Sequence, residues 1–226
     1  MFESEAFVAA CQRAASGADP VSAVAEAVAA AIRDGAAIDA ALGTDLKGEP
    51  DTLFSTPELT VQRIVWPGGA ASPPHDHRMW AVVGVYAGEE VNRLYQRASS
   101  GLEERAVRPV GSAEVLTLGE DAIHSVENLR RQWTAGLHVY GGVILHDERS
   151  AWRPDGVEVS FGDNLAAARP MWTVMRELAA DHQRVISADD RYEALTALRE
   201  AYTQQRRYLT AEEARRVVAD AWGIIA

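Results

Sequence analysis

The middle of the chain consists of short segments in which apolar and polar residues alternate with a period of two. This alternation predicts β-strands, because successive side chains of a strand point to opposite faces of a sheet. Turn residues, mainly Gly, Pro and Ser, separate the segments at short intervals. The predicted strands cover residues 59–66, 80–86, 90–95, 113–118 and 134–140. Many short strands without intervening helices predict an antiparallel sandwich, jelly roll or barrel over roughly residues 52–159.

The two ends of the chain show helical periodicity instead. Asp19 followed by Pro20 is typical of a helix N-cap and first helical position, and Ser187 and Thr210 are further predicted helix starts. We therefore predict a mainly β protein with α-helical additions at both ends. Its predicted parts are N-terminal helices packed on the barrel (1–45), the barrel with the functional site (46–160) and a C-terminal helical extension (161–226), all in one structural unit.

Composition limits the classes of function. The 226 residues are 47% hydrophobic and 24% charged, which is ordinary for a globular protein, and the net charge of -11 disfavours nucleic acid or anionic membrane as a partner. The single cysteine, Cys11, excludes a thiolate-rich metal site and an intrachain disulfide, as expected in a reducing compartment. We find no signal peptide and no apolar run that could span a bilayer. The expectation is a cytoplasmic protein, with a homodimer possible.

Three histidines are placed where they could bind one metal ion. His75 and His77 are two residues apart at the entrance to a strand, so their side chains point to the same face. His124 follows a turn at the start of another predicted strand. Neutral imidazoles suit Fe, Zn, Cu or Ni, and three of them leave coordination positions open for water, O2 or substrate. The sequence predicts a metal site at these three residues.

Two segments resemble the motifs of the cupin superfamily. Gly69–His77, followed by Gly88, is similar to the first cupin motif in the spacing of its glycines and histidines, and His124–Asn128 is similar to the His-X-X-X-Asn end of the second. The carboxylate of the first motif would fall at Ala81 or Val82, and neither residue can bind a metal. The resemblance implies a cupin double-stranded β-helix, a jelly-roll barrel, with a three-histidine site.

A three-histidine cupin resembles the thiol dioxygenases, the family that includes cysteine dioxygenase and 3-mercaptopropionate dioxygenase. Pro74–Gly84 and His138–Gly142 are similar to the 3-mercaptopropionate branch, within a resemblance that covers roughly residues 66–149. This resemblance implies Fe(II) as the cofactor, held by His75, His77 and His124. It also implies that a small thiol, such as 3-mercaptopropionate or cysteine, reacts with O2 to give a sulfinate.

The same resemblance implies roles for residues outside the metal site. Tyr140 corresponds to the family's active-site tyrosine, which hydrogen-bonds oxygen or substrate, and His138 corresponds to the histidine that orients it. Gly136 replaces the serine that usually begins this Ser–His–Tyr chain, so the chain is cut short. Arg149 stands where the mercaptopropionate branch places an arginine that binds the substrate carboxylate, with a solvated surface arginine as the alternative. Gln62 is a further candidate for lining the substrate cavity.

Two other functions stay open at this point. One is a three-histidine cupin enzyme with another metal or a non-thiol substrate, such as an isomerase, a decarboxylase or a ring-cleaving dioxygenase. The other is a non-catalytic cupin that binds a small molecule. The remaining candidates for metal ligands, His146 and His182, lie outside the motifs and are predicted to be surface or hydrogen-bonded histidines.

Overall fold

A computed structural model describes residues 1–43, 50–99, 101–144 and 149–224. The helices are α1 (Ser4–Ala15), α2 (Pro20–Ala31), α3 (Gly35–Leu42), α4 (Phe161–Asp181), α5 (Ala188–Gln205) and α6 (Ala211–Ala221). The strands are β1 (Asp51–Thr56), β2 (Leu59–Trp66), β3 (His75–Asp76), β4 (Ala81–Ala87), β5 (Glu89–Ala98), β6 (Gly101–Gly111), β7 (Glu114–Leu118), β8 (Ile123–Glu127), β9 (Thr134–Tyr140), β10 (Ser150–Trp152) and β11 (Glu158–Ser160).

The strands form two antiparallel sheets. A five-stranded sheet has the order β1-β2-β9-β4-β7, and a six-stranded sheet has the order β11-β10-β3-β8-β5-β6. Strands that are distant in sequence are neighbours in each sheet, so the chain passes repeatedly between the two sheets, as in a jelly roll. The predicted fold class, a mainly β double-stranded β-helix with helical additions, is confirmed.

The alternating segments predicted five strands of the two sheets. Each predicted strand coincides with one of β2, β4, β5, β7 and β9 within a few residues. The sequence analysis missed β6, an edge strand whose central residues Glu103–Arg105 are charged and exposed. Ala113 was placed in a strand, but it lies in the turn before β7 with a φ of 67°, a conformation that interrupts extended backbone.

One side of the five-stranded sheet, here called its helix-facing side, packs against α1–α3. Alternate residues of β2, β4 and β9 enter this contact, because a strand presents every second side chain to the same face. The cluster contains Phe7, Val8, Cys11, Val24, Val28, Ile32, Ile38, Leu59, Val61, Val82, Tyr86, Ala135, Leu137 and Val139. The other side faces the barrel interior, where the functional residues lie.

The C-terminal helices have an apolar cluster of their own. It contains Met171, Val174, Leu178, Ala179, Ala194, Leu198, Leu209, Ala214, Val218, Ala219 and Trp222. The predicted helix starts are confirmed: Asp19 caps α2, and capping boxes begin α5 at Ser187 and α6 at Thr210. α4 contacts β10 and β11, which brings this helix to the end of the six-stranded sheet. That the three predicted parts form one structural unit stays a prediction.

No helix within the described ranges is long and apolar enough to cross a lipid bilayer. The expected cytoplasmic location, the absence of a nucleic-acid partner and the possible homodimer stay predictions.

Candidate metal centre

The fold brings His75, His77 and His124 together inside the barrel. His75 on β3 lies directly opposite His124 on β8, and His77 follows β3 by one residue. All three side chains are buried, and one ring nitrogen of each lies within 4.8 Å of the other two. The Nε2 atom of His77 is 3.2 Å from that of His75 and 3.3 Å from that of His124. The predicted ligand set is therefore a spatial cluster that could hold a metal ion.

Hydrogen bonds on the far side of two of the rings fix their tautomers. Nδ1 of His75 lies 2.9 Å from the carbonyl oxygen of Pro73, and Nδ1 of His124 lies 2.9 Å from Oδ1 of Asn92. Both oxygens can only accept, so each Nδ1 carries the proton and each Nε2 presents a lone pair. At most one of the two short contacts between Nε2 atoms can then be a hydrogen bond. A cation between the rings satisfies all three nitrogens.

The distances from Nε2 of His77 to the two other rings agree with coordination to one ion. Two nitrogens about 2.1 Å from a metal are about 3.0 Å apart at a right angle and about 3.4 Å apart at the tetrahedral angle. The distances of 3.2 and 3.3 Å lie between these limits. Burial lowers the pKa of His75 to about 3 and holds the pKa of His77 and of His124 well below the ordinary value. The rings are thus neutral, which is the form that binds metals.

The strand that would supply a cupin carboxylate offers an alanine. Ala81 lies opposite Tyr140 in the register of β4 and β9 and faces the interior, whereas Val82 belongs to the helix-facing cluster. Position 81 is thus the one closer to the site, and its methyl group cannot bind a metal. This arrangement leaves the three histidines as the candidate metal ligands among the described residues.

Tyr140 and His138 lie next to the histidine cluster on the interior side of β9. The Tyr140 ring meets the His77 ring edge-on, with 5.1 Å between the ring centroids. Its hydroxyl lies 3.2 Å from Nδ1 of His138, to which it can donate when that nitrogen is unprotonated. Burial raises the pKa of Tyr140 above its ordinary value, so the hydroxyl keeps its proton. The two residues are in contact as the sequence analysis required, while their catalytic roles stay predictions.

Gly136 leaves one edge of the His138 ring open. A Cβ atom at position 136 would lie 3.1 Å from Nε2 of His138. The nearest carboxylate to that nitrogen belongs to Glu90 on β5, whose Oε1 is 3.7 Å away. The sequence analysis missed Glu90, and it also missed Asn92, the partner of His124. Their spacing of two in a predicted strand was the signal that both face the same side.

Arg149 is buried, so its interpretation as a solvated surface arginine is wrong. The residue is 5% exposed, because its guanidinium lies under α4, 3.9 Å from the ring centroid of Phe161. Nη1 donates to the Ile144 carbonyl at 2.8 Å and Nε to the Asp76 carbonyl at 3.2 Å, while Nη2 donates to no described residue. Phe161 also lies 5.5 Å from the His75 ring. Phe161 thus connects the Arg149 guanidinium to the histidine cluster.

Gln62 lies beside His138 rather than beside the metal ligands. The two residues are directly opposite in the register of β2 and β9, so they share the interior face. Its side chain is buried and donates to Oγ1 of Thr52 at 3.1 Å. A role in lining the substrate cavity stays a prediction. His182 is exposed, as predicted, and His146 lies outside the described residues.

A separate surface cavity of about 590 Å³ lies on the opposite face of β3 and β8. Asp76, Arg78, Tyr95, Arg97 and Ile123 are among its lining residues, and the three histidines are not. The Asp76 carboxylate accepts the backbone N–H of Ser150 at 2.7 Å and lies 3.7 Å from the guanidinium nitrogens of Arg78 and Arg97. Its role is thus to join β3 to β10 rather than to bind the metal.

Comparison with known proteins gives no matching family model. A solved RmlC-like cupin with a double-stranded β-helix fold from Methanocaldococcus jannaschii is 14% identical, with a TM-score of 0.36, over 42% of this chain and 81% of that chain. The DMSP lyase DddQ from Ruegeria pomeroyi is 18% identical, with a TM-score of 0.34, over 42% of this chain and 44% of the lyase. A Cupin 2 conserved barrel domain protein from Salinispora arenicola is 18% identical, with a TM-score of 0.34, over 41% and 73% of the two chains. Similarity of this degree does not extend to a metal, a substrate or a reaction.

Proposed function

We propose that the protein is a non-haem Fe(II) thiol dioxygenase that converts a small mercapto-carboxylate, such as 3-mercaptopropionate or cysteine, and O2 to a sulfinate. One observation supports this function above all others. Three neutral, buried imidazoles lie together, the ring of a protonated tyrosine contacts one of them, and Phe161 contacts both the His75 ring and the buried Arg149 guanidinium. A candidate metal site, a hydrogen-bond donor and a candidate anion-binding group would thus serve one substrate.

The three histidines fit Fe(II) as the resident metal. Imidazole nitrogen is a common ligand of Fe(II), and a neutral ligand set leaves the whole +2 charge to act on an anionic substrate. When bound, Fe(II) would lower the pKa of the substrate thiol and hold the thiolate and O2 next to each other. The cofactor stays a proposal, because the same three ligands would also accept Zn, Cu or Ni.

Arg149 would bind the carboxylate of the substrate. Two backbone carbonyls and the Phe161 ring hold its guanidinium in one plane, so Nη2 is presented in a fixed direction. A charge-assisted hydrogen bond from a preoriented guanidinium is strong and directional. A substrate with its thiol at the three histidines and its carboxylate at Arg149 would be held at both ends.

Tyr140 would supply a hydrogen bond at the reacting sulfur or oxygen. Its ring contacts the His77 ring edge-on, and its hydroxyl lies 3.2 Å from Nδ1 of His138. In the overall reaction R–SH + O2 → R–SO2H, sulfur loses four electrons and O2 gains four. The residues of the chain therefore need to bind and orient the reactants, and no external reductant is required.

Oxygen consumption by anaerobically Fe(II)-loaded protein tests this function. We expect uptake of about one O2 per thiol, with a sulfinate as the product, when 3-mercaptopropionate, cysteine, cysteamine and mercaptosuccinate are offered in turn. Protein loaded with Zn(II) is the matched control, since it keeps the site but not the redox metal, and it should consume no O2. Absence of uptake with every thiol, by protein that retains iron, would contradict the proposal.

A three-histidine enzyme with another metal or a non-thiol substrate is the second candidate. The observation that favours it is the buried carboxylate of Glu90 near His138. A chain of carboxylate, imidazole and phenol suits proton transfer, which an isomerase or a decarboxylase needs. Metal analysis of the protein as purified separates the two candidates at the first step: bound iron supports the dioxygenase, and tight zinc or nickel supports the alternative.

A further inference from the structure

Glu90 is a buried carboxylate without a hydrogen-bond partner. The residue is 0% exposed, and neither of its carboxylate oxygens has a partner in the described part of the chain. Burial of an unpaired carboxylate is costly enough that natural proteins rarely keep one without a function. Because Glu90 lies on the interior side of β5, the group that compensates it has to be inside the barrel.

The ring of His138 is the group that faces Glu90. Its Nε2 lies 3.7 Å from Oε1 of Glu90, and this nitrogen is itself buried without a hydrogen-bond partner among the described residues. Two unsatisfied polar atoms thus face each other between the two sheets. A shift of about 0.7 Å would bring them to ordinary hydrogen-bonding distance.

A second side chain of β5 also contacts a histidine ring in the interior. Asn92, two residues after Glu90 on the same face, accepts from Nδ1 of His124 at 2.9 Å and leaves Nε2 of that ring for the metal. Glu90 would contact the other ring nitrogen: it would accept from Nε2 of His138, whereas Asn92 accepts from Nδ1 of His124. If its carboxylate accepts the Nε2–H, the ring presents the Nδ1 lone pair to the hydroxyl of Tyr140, 3.2 Å away. One strand would then set the tautomers of two neighbouring imidazoles.

The Nε2 edge of the His138 ring is open to this contact. Gly136 keeps that edge accessible, since a Cβ atom there would lie 3.1 Å from this nitrogen. A carboxylate can only accept a hydrogen bond, so the proton of the shared contact would belong to His138.

We propose that Glu90 is a positioning residue whose carboxylate holds the Nε2–H of His138, so that Nδ1 of His138 holds the Tyr140 hydroxyl beside the three histidines. The effect on turnover rests on the proposed function, whereas the contact itself does not. Gly136 has no side chain to contact the Nε2 edge of the His138 ring, and Glu90 would make that contact instead. The chain Glu90–His138–Tyr140 then runs from β5 to the metal centre.

Histidine-selective ¹⁵N NMR on the full chain loaded with Zn(II) tests the contact without any catalytic assay. In the wild-type protein we expect His138 to carry its proton on Nε2, with slow exchange of that proton with water. Glu90→Leu should accelerate this exchange at least about tenfold, since it removes the acceptor. Glu89→Gln is the matched control, because Glu89 is the adjacent residue and pairs with Arg130 at the surface, and it should leave the His138 signals unchanged.

Glu90→Gln keeps the test valid if the leucine variant does not fold. Its amide oxygen can still accept the Nε2–H, so we expect the proton to stay on Nε2 with a changed chemical shift. A wild-type His138 with an unprotonated Nε2, or His138 signals that neither Glu90 variant alters, would overturn the proposal. In the Fe(II) protein, Glu90→Leu should lower kcat about tenfold with KM within twofold, and Glu90→Gln should restore part of the loss. A wild-type protein without thiol oxidation would refute the proposed function and leave the NMR result standing.

Discussion

The two sides of the five-stranded sheet bury polar groups in opposite ways. On the helix-facing side, Arg63 is 1% exposed, and each of its three guanidinium nitrogens donates to an acceptor: Nε to the Tyr86 hydroxyl, Nη1 to Asp51 and Nη2 to the Gly43 carbonyl. In the interior, Arg149 has one nitrogen without a described acceptor, and Glu90 has two oxygens without a donor.

This difference separates structural polar groups from functional ones. A buried charged group whose hydrogen bonds are all formed favours one conformation, because loss of any partner leaves an unpaired polar group in the protein interior. Polar atoms that remain unsatisfied in a buried position are available to a ligand, a metal or a neighbouring side chain. One side of this sheet therefore packs against the helices, and the other side faces the candidate functional groups of the barrel interior.

Replacement of His77 should have the largest effect on the interior side. His77→Ala removes the ligand whose Nε2 lies between those of the other two histidines, so we expect the affinity for Fe(II) or Zn(II) to fall on the order of 100-fold or more. Metal content after dialysis and calorimetric titration measure the loss. His182→Ala, at an exposed position, should retain the metal. Full iron occupancy in His77→Ala would show that the ligand assignment is wrong.

Replacement of Arg63 should have the largest effect on the helix-facing side. Arg63→Met removes the hydrogen bonds that Arg63 donates to Tyr86, Asp51 and the Gly43 carbonyl, and we expect the free energy of unfolding to fall by about 3 kcal/mol. Denaturant unfolding measures the change, with the exposed Arg33→Met as the matched control. Metal affinity of the folded protein should stay unchanged. A loss of metal binding with unaltered stability would contradict the division between the two sides.

Local sequence patterns predicted the histidine cluster because the placement of these residues is largely a local property. A separation of two residues gives His75 and His77 a common face in any extended segment, and the turn before His124 placed it at the start of β8. The pairing of β3 with β8 then brings the three together. Only this pairing is non-local, and the resemblance to the cupin motifs supplied it.

The partners of the interior residues were not predictable in the same way. Apolar residues normally mark the buried face of a strand, yet β5 places Glu90 and Asn92 in the interior and the partly exposed Arg93 on the other face. A prediction from hydropathy would therefore place Glu90 and Asn92 on the outer face of the strand, which is wrong. The burial of Arg149 was also hidden, because the polar run around it gives no sign that α4 covers the guanidinium.

Replacement of Arg149 should affect substrate binding more than stability. Arg149→Met removes the proposed carboxylate partner, and we expect KM for 3-mercaptopropionate to rise about 30-fold, equivalent to about 2 kcal/mol of binding. Steady-state O2 uptake measures this change. Cysteamine, which lacks a carboxylate, is the control substrate, and Arg153→Met is the control variant. An equal rise in KM for cysteamine would assign Arg149 a structural role like that of Arg63.

Removal of the Tyr140 hydroxyl should have the smallest of these effects. Tyr140→Phe keeps the ring against His77 and removes one hydrogen bond at the metal centre, so we expect kcat to fall about tenfold, or less sulfinate to form per O2 consumed, with iron content unchanged. Sulfinate yield and O2 uptake measured together report both possibilities. Tyr95→Phe is the matched control, since its hydroxyl contacts Ser125 and it lines the surface cavity rather than the metal centre. Kinetics and coupling equal to those of the wild type would remove Tyr140 from the mechanism, and the contact between Glu90 and His138 would then serve the barrel interior as the contacts of Arg63 serve the helix-facing side.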